Sequence, residues 1–512
     1  MGKEKRFTPK EWSWIMYDWA NSVYATNIMA AIFPTIFVSV AGAAGDMWWG
    51  YATSVATFLV AILAPLLGAV ADFKGMKKKL FTVFLLLGVV FTGLIAATDN
   101  WKIMLVCYVL SRIGFSGSNL FYDSFLTDVT TDERMDRVSS WGYAMGYIGG
   151  STIPFVLSIA MLLLLGYSNP VAQKFAILIS SVWWLVFSIP FLKNVDQVHY
   201  IERTEENSLR QTFRNIGRTA HDIFCRKGLF VFVLAYFFYI DGVGTVISIS
   251  TAYGTVLGLG TVGMILALLV TQIVAVPCSI WFSKLAQKIT ARKALMAAIV
   301  VYTFICLVGF FMGFSLEPKQ DAYDAALAER FTAAADALTP ADDADAYAKL
   351  VSGYQEAFLK DDAAAAMAQV TLPENAGDEL RAAGERLSEI AAQFAAEEAE
   401  AIGAYKDARS FSTVLFWAMA FLVGTVQGGI QAVSRSYFGK LVPKHRSNEF
   451  FGFFDIFGKF ASVIGPLLYS LMTGLTGHSS WGVLGLSMLF LSGLVVMIVG
   501  KKHLVALENG EG

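Results

Sequence analysis

Twelve stretches of mostly apolar residues recur along this 512-residue chain, each long enough to supply the roughly 20 residues that a helix needs to cross a bilayer. They cover about 14–41, 48–71, 80–98, 101–127, 138–166, 171–192, 228–256, 259–283, 292–315, 411–439, 449–475 and 480–500. In hydrocarbon a backbone must satisfy its own hydrogen bonds, which leaves the helix for isolated segments of this length. The expected fold class is an all-α integral membrane protein with twelve transmembrane helices. Only 16% of the residues are charged, against about a quarter in soluble proteins. The first stretch follows Lys3, Lys5, Arg6 and Lys10, as a secretory leader would. It is too long for one, contains Asp18 and Asn21 and has no obvious cleavage site, so it reads as a span.

An even number of spans puts both termini on one side. With the termini inside, the inner segments hold 26 Lys/Arg and the short outer loops hold 2, Lys102 and Lys174. That bias predicts cytoplasmic termini. A bacterial plasma membrane is expected, because no further sorting signal is evident. Residues 193–227 then form a cytoplasmic linker. Its Arg210, Arg214 and Arg218 recur every fourth residue, which suits either membrane lipid headgroups or a plain solvated helix face. Residues 316–410 fall outside, with 29 alanines and 8 Lys/Arg against 20 Asp/Glu. Alanine favours helix, with breaks expected at Pro318, Pro340 and Pro373. The expected domains are a six-helix bundle over 1–192, a second over 228–315 and 411–512, and an acidic, helical extracytoplasmic insertion over 316–410.

The chain repeats itself. Gly68-Ala-Val-Ala-Asp72-Phe-Lys-Gly75-Met-Lys77-Lys78-Lys79-Leu80 matches Ser283 to Leu295 at an offset of 215, through the basic pair and the closing Leu. At an offset of 312, Ser124 falls on Ser436, Arg134 on Arg446, Gly146 on Gly458 and Pro154 on Pro466. The 95-residue insertion accounts for the difference between the two offsets. Two related six-helix halves follow. Gly68 and Gly75 suit a tight turn with close helix approach, and Asp72 stands where it can accept helix donors or pair with a base.

The Gly-x-x-x-Asp-x-x-Gly-x-Lys-Lys pattern at 68–80 resembles the best-known signature of the major facilitator superfamily. Within it, three passages resemble the autophagy-linked vacuolar amino-acid effluxers and their bacterial relatives. These are Tyr17-Asp18-Trp19-Ala20-Asn21-Ser22, Phe238-Tyr239-Ile240-Asp241-Gly242-Val243, and Ser434-Arg435-Ser436-Tyr437 with Glu449-Phe450-Phe451-Gly452-Phe453. The resemblance implies two pseudo-twofold-related bundles with a path between them, lined by spans one, four, seven and ten. It also implies a gating role for Gly68, Asp72, Gly75, Lys77 and Lys78. The repeat mates Arg134 and Arg446 join that set.

A charge near the bilayer centre costs at least about 2.5–3.5 kcal/mol, so each one needs a reason. Arg112, Asn119 and Asp123 share one face of span four; Gln427, Gln431 and Arg435 share one face of span ten. The 312 offset sets Asp123 on Arg435 and Asn119 on Gln431, so an acid and a base are expected either to face each other across the path and gate it or to snorkel to the interface in separate contacts. Substrate-binding candidates are Asp18, Asn21, Arg112, Asn119, Asp241, Gln427 and Gln431. Arg112 suits a carboxylate, with Asp18 or Asp241 facing an ammonium. Asp241 and Asp18 are the candidates for proton exchange, while Asp455 and Lys459, one turn apart, neutralise each other.

The expected function is secondary transport of a small-molecule substrate by alternating access. Small polar solutes are expected, amino acids foremost, in proton-coupled efflux. A drug or lipid exporter and a non-transporting sensor or scaffold are the alternatives. No Gly-x-x-x-x-Gly-Lys-Ser/Thr loop, Gly-x-Ser-x-Gly elbow or metal-ligand spacing of Cys and His occurs, so no enzyme, cofactor, metal or nucleic-acid partner is expected. A monomer is expected.

Overall fold

The computed structural model describes residues 6–42, 45–151, 153–166, 169–202, 209–259, 261–340, 343–373 and 376–509. Among them, twelve helices are long and apolar enough to cross a membrane. In order, spans one to six are Pro9–Ala41, Met47–Ala71, Met76–Ile95, Trp101–Val129, Asp132–Leu165 and Pro170–Asn194. Spans seven to twelve are Lys227–Val256, Leu266–Ile289, Ala291–Asp336, Ala399–Leu441, Lys444–Thr476 and Ser479–Val499. The one extended pairing among the described residues is a single bridge, where the start of the linker at Ile201 meets Phe73.

Local chemistry sets the helix starts. Thr8 and Glu11 cap span one reciprocally, at 3.2 and 2.8 Å, with Pro9 at the first helical position. Asn100 caps span four through the Lys102 N–H. Leu163, Leu164, Ile273, Leu467 and Leu475 stand exposed on outer faces, as a lipid contact requires.

Spans one to six form one half and spans seven to twelve the other. The halves meet where span two packs on span eleven and span five on spans eight and ten. One end of the bundle carries the termini and the linker; the other carries the insertion.

Pro318 does not break its helix. Span nine runs through it as one helix, Ala291–Ala326. Buried Leu316 and the capping of Ser480 by Glu317 hold the turns beside it. The helix Ala399–Leu441 likewise continues from the insertion into span ten. Between these two extensions Phe331, Phe358 and Phe394 pack together, with ring centroids 4.9 to 5.8 Å apart. Tyr323 and Tyr405 stack at 5.1 Å, and Gln320 donates to the Val256 carbonyl at 2.9 Å. In the linker, Leu209–Cys225 is helical. The side chains of Arg210 and Arg214 lie outside the described residues; Arg218 is exposed.

Candidate functional site

Span four brings Asp123, and span ten Arg435, to the boundary between the halves, 312 residues apart in sequence and 2.9 Å apart in space. Arg435 is 4% exposed, and every part of its guanidinium is occupied. Nε donates to Ser139 Oγ at 3.0 Å, Nη2 to the Ser139 carbonyl at 3.1 Å, and Nη2 to Asp18 at 3.3 Å. The rings of Trp14 and Tyr143 lie 4.6 and 4.5 Å from its centre, and Tyr122 lies 5.4 Å away. An arginine stripped of water needs such an arrangement, because its desolvation is offset only by complete pairing. Asp18 accepts a further hydrogen bond from the Tyr122 hydroxyl at 2.7 Å.

Toward the terminal end, the signature segment joins the two halves. The Asp72 carboxylate accepts from the Asn448 N–H at 3.0 Å, the Asn448 side chain at 2.7 Å and the Glu449 N–H at 3.0 Å. It therefore caps the first turn of span eleven from the opposite half, where the helix dipole favours an anion. Burial pushes its carboxyl up to about 7, against the pull of Lys77 and of these donors. A Cβ on Gly68 would overlap the Asn448 carbonyl, so only glycine permits this approach. Gly75 has φ 71°, the left-handed turn that starts span three. Lys77 is fully buried and donates to Asp128 at 2.6 Å and to Ser447 of the other half at 3.2 Å.

Other candidates lie elsewhere. Lys78 pairs with Asp196 at the linker, on the surface. Arg134 binds Glu11, at 2.7 and 2.6 Å, inside the first half. Arg446 binds Asp222 of the linker helix at 2.8 Å and Glu449 at 3.2 Å, and it also contacts Thr219. Both arginines brace the starts of their spans through these acids. Asp241 is 1% exposed and accepts from the Gly465 N–H at 2.8 Å, sealed between spans seven and eleven. Asn21 donates to Asn119 at 2.7 Å. Gln427 is buried, and Gln431, half-buried, bonds the carbonyl of Gln427. Asp455 and Lys459 pair with each other.

Arg112 has neither expected acid beside it. Asp18 belongs to Arg435 and Asp241 to Gly465; Arg112 itself donates to the Tyr108 hydroxyl at 3.3 Å. With Lys459 it lines a cleft of about 690 Å3 between spans two, four and eleven, in the insertion-end half of the boundary. The second half holds a pocket of about 110 Å3, walled by side chains such as Ile247, Phe416 and Met419, with Gln272 and Gln427 at its edge.

Motif and charge do not single out Ser139, Tyr143, Asp128, Asp136 or Asn448. Ser124 bonds Asn448 across the boundary, and Ser436 donates to Asp136 at 2.6 Å. These are one contact seen from each half, since 124 maps to 436 and 136 to 448. The 312 offset applied to Asp136 would have found it.

A family model described as "Vacuole effluxer Atg22 like" matches residues 48–132, 127–321 and 412–505. A Bacillus subtilis (strain 168) protein, an uncharacterized MFS-type transporter named YxiO, is 38% identical over 506 residues, 96% of this chain and 95% of its own. Among solved structures, a bacterial homologue of the iron transporter ferroportin in an outward-facing state superposes with TM-score 0.55 at 11% identity, covering 98% of both chains. The proton:xylose symporter XylE superposes with TM-score 0.54 at 9% identity, covering 96% of this chain and 94% of its own. Those two likenesses establish the fold, and the match over nearly the whole length establishes the lineage: the chain belongs to the Atg22-like vacuole effluxer family of the major facilitator superfamily.

Proposed function

We propose that this membrane transporter moves small polar solutes, amino acids foremost, outward by alternating access driven by protons. One observation carries the reading: two related halves are bolted together at one end by Asp72, Lys77 and Arg435, and farther from that end leave a cleft between spans two, four and eleven that holds Arg112 and Lys459. The inside-positive bias makes the bolted end cytoplasmic. The conformation is then the outward-facing one, with Asp123, Asp18 and Arg435 as the inner gate. Proton coupling falls to Asp18 instead of Asp241. A proton on Asp18 removes one of the two charges balancing Arg435 and loosens the gate, whereas Asp241 is committed to a helix contact.

Proteoliposomes preloaded with labelled amino acids test this. An imposed pH gradient should drive efflux, and Asp18→Asn should keep exchange while losing the gradient response. Absence of flux for all twenty amino acids sinks the substrate reading. Asp123→Arg and Arg435→Asp should each cut transport by about tenfold or more, an ion-pair loss of roughly 1.4 kcal/mol or greater. The double reversal should regain part of it; no recovery removes the pair from the gate.

A further inference from the structure

The charged side chains that line the cleft at the insertion end are both cations. Arg112 reaches it from the first half and Lys459 from the second, and no carboxylate lines it among the described residues. Lys459 is ion-paired with Asp455, one turn away along its own helix toward the bolted end, so Arg112 is the cation of the cleft without a paired acid among the described residues. Arg112 forms no ion pair among the described residues; its hydrogen bond goes to the neutral Tyr108 hydroxyl. The remaining wall is largely apolar, with Phe58, Leu59 and Val463 61%, 39% and 58% exposed. The two acids that an ammonium would need have other work. Asp18 accepts from Arg435 and Tyr122, and Asp241 from Gly465 and Thr245.

We infer that this cleft recognises its substrate by a carboxylate held between Arg112 and Lys459 and by an apolar body resting on Phe58, Leu59 and Val463, and that it reads no ammonium group. The arginine fork takes a carboxylate through two parallel hydrogen bonds and the lysine adds a point charge. Monocarboxylic acids with an apolar body are then ligands on the same footing as amino acids. The inference deepens the transporter reading and rests on it for the cleft being the substrate site.

Three compounds with one ring and different charges test it: phenylalanine, 3-phenylpropionate and phenethylamine. Each is titrated calorimetrically into the full-length protein in phosphatidylcholine nanodiscs. Phenylalanine and 3-phenylpropionate should bind within about threefold of each other, and phenethylamine should not bind. Arg112→Gln and Lys459→Gln should each weaken 3-phenylpropionate by about tenfold or more, the loss of a charge-assisted hydrogen bond. Arg112→Lys, which keeps the charge, should retain part of the affinity, and thermal melting shows which variants are folded. Binding of phenylalanine and phenethylamine without 3-phenylpropionate overturns the carboxylate assignment and leaves the amino-acid reading standing. Unchanged affinity in both folded glutamine variants overturns the site. If none of the three binds, the inference falls, while efflux from proteoliposomes still judges the transporter reading separately.

Discussion

The bolt at the terminal end has two arms that the repeat makes equivalent, and their chemistry is inverted. In the first arm the acid sits on the loop between spans two and three: Asp72 caps span eleven, beside the fully buried Lys77–Asp128 pair. In the second arm the position equivalent to Asp72 is Gln287, in the last turn of the span-eight helix, and it is exposed. There the acid is Asp136 at the start of span five, accepting from Ser436 and Lys440, both at 2.6 Å. Lys440 is the repeat mate of Asp128, so the sign at that position has reversed. Contact positions survive duplication because backbone geometry sets them; which side carries the charge is free to drift, provided that each buried charge keeps a partner. The first arm is dry, whereas the Lys440 side chain remains 24% exposed.

The largest break in this comparison is Lys77→Ala. It leaves the buried Asp128 without its lysine and with only the Val198 and His199 N–H groups and the His199 ring as partners, a loss of about 3 kcal/mol. Spin-label distances across the terminal ends of spans two and eleven should show the parted state enriched by more than about a hundredfold. An equal shift from Asp136→Ala would erase the asymmetry. Acidity probes the same arm. A carboxyl with pKa 3.8 when solvated and about 7 when latched holds its proton more tightly in the latched state. That contribution to closure is full below about pH 4, declines as pH rises toward 7 and is level above it. Asp72→Asn should flatten the slope; a slope of the opposite sign in the wild-type protein would contradict the assignment. The second arm should yield less: Asp136→Ala removes hydrogen bonds to a partly solvated lysine and a hydroxyl, about 1.5–3 kcal/mol by the same distance measurement. The smallest effects sharpen the symmetry. Ser124→Ala and Ser436→Ala should cost about 1 kcal/mol each and match each other; a severalfold disparity would show that the equivalence is only geometric.

Much of this was legible in the sequence, for identifiable reasons. Hydrocarbon imposes length and apolarity on every span, so all twelve emerge from the pattern of residues. The Asp123–Arg435 contact followed from a repeat offset, because pseudo-twofold mates near an axis meet each other. Partners that are backbone groups left no such trace. Asp241 binds a backbone N–H 224 residues away, and Asp72 binds the N–H groups that open another helix. No side-chain pattern announces either. Asp18 carried the right charge for an ammonium, and packing against Arg435 assigned it to another base.

Spans nine and ten leave the bundle as continuous helices, and Tyr323 and Tyr405 clasp them together beyond it. The acidic insertion is therefore a stiff mast carried by two spans of the second half. A fluorophore on its tip would sweep through a wide arc when the halves tilt, magnifying a small rotation inside the bilayer into a displacement that single-molecule microscopy can follow during turnover.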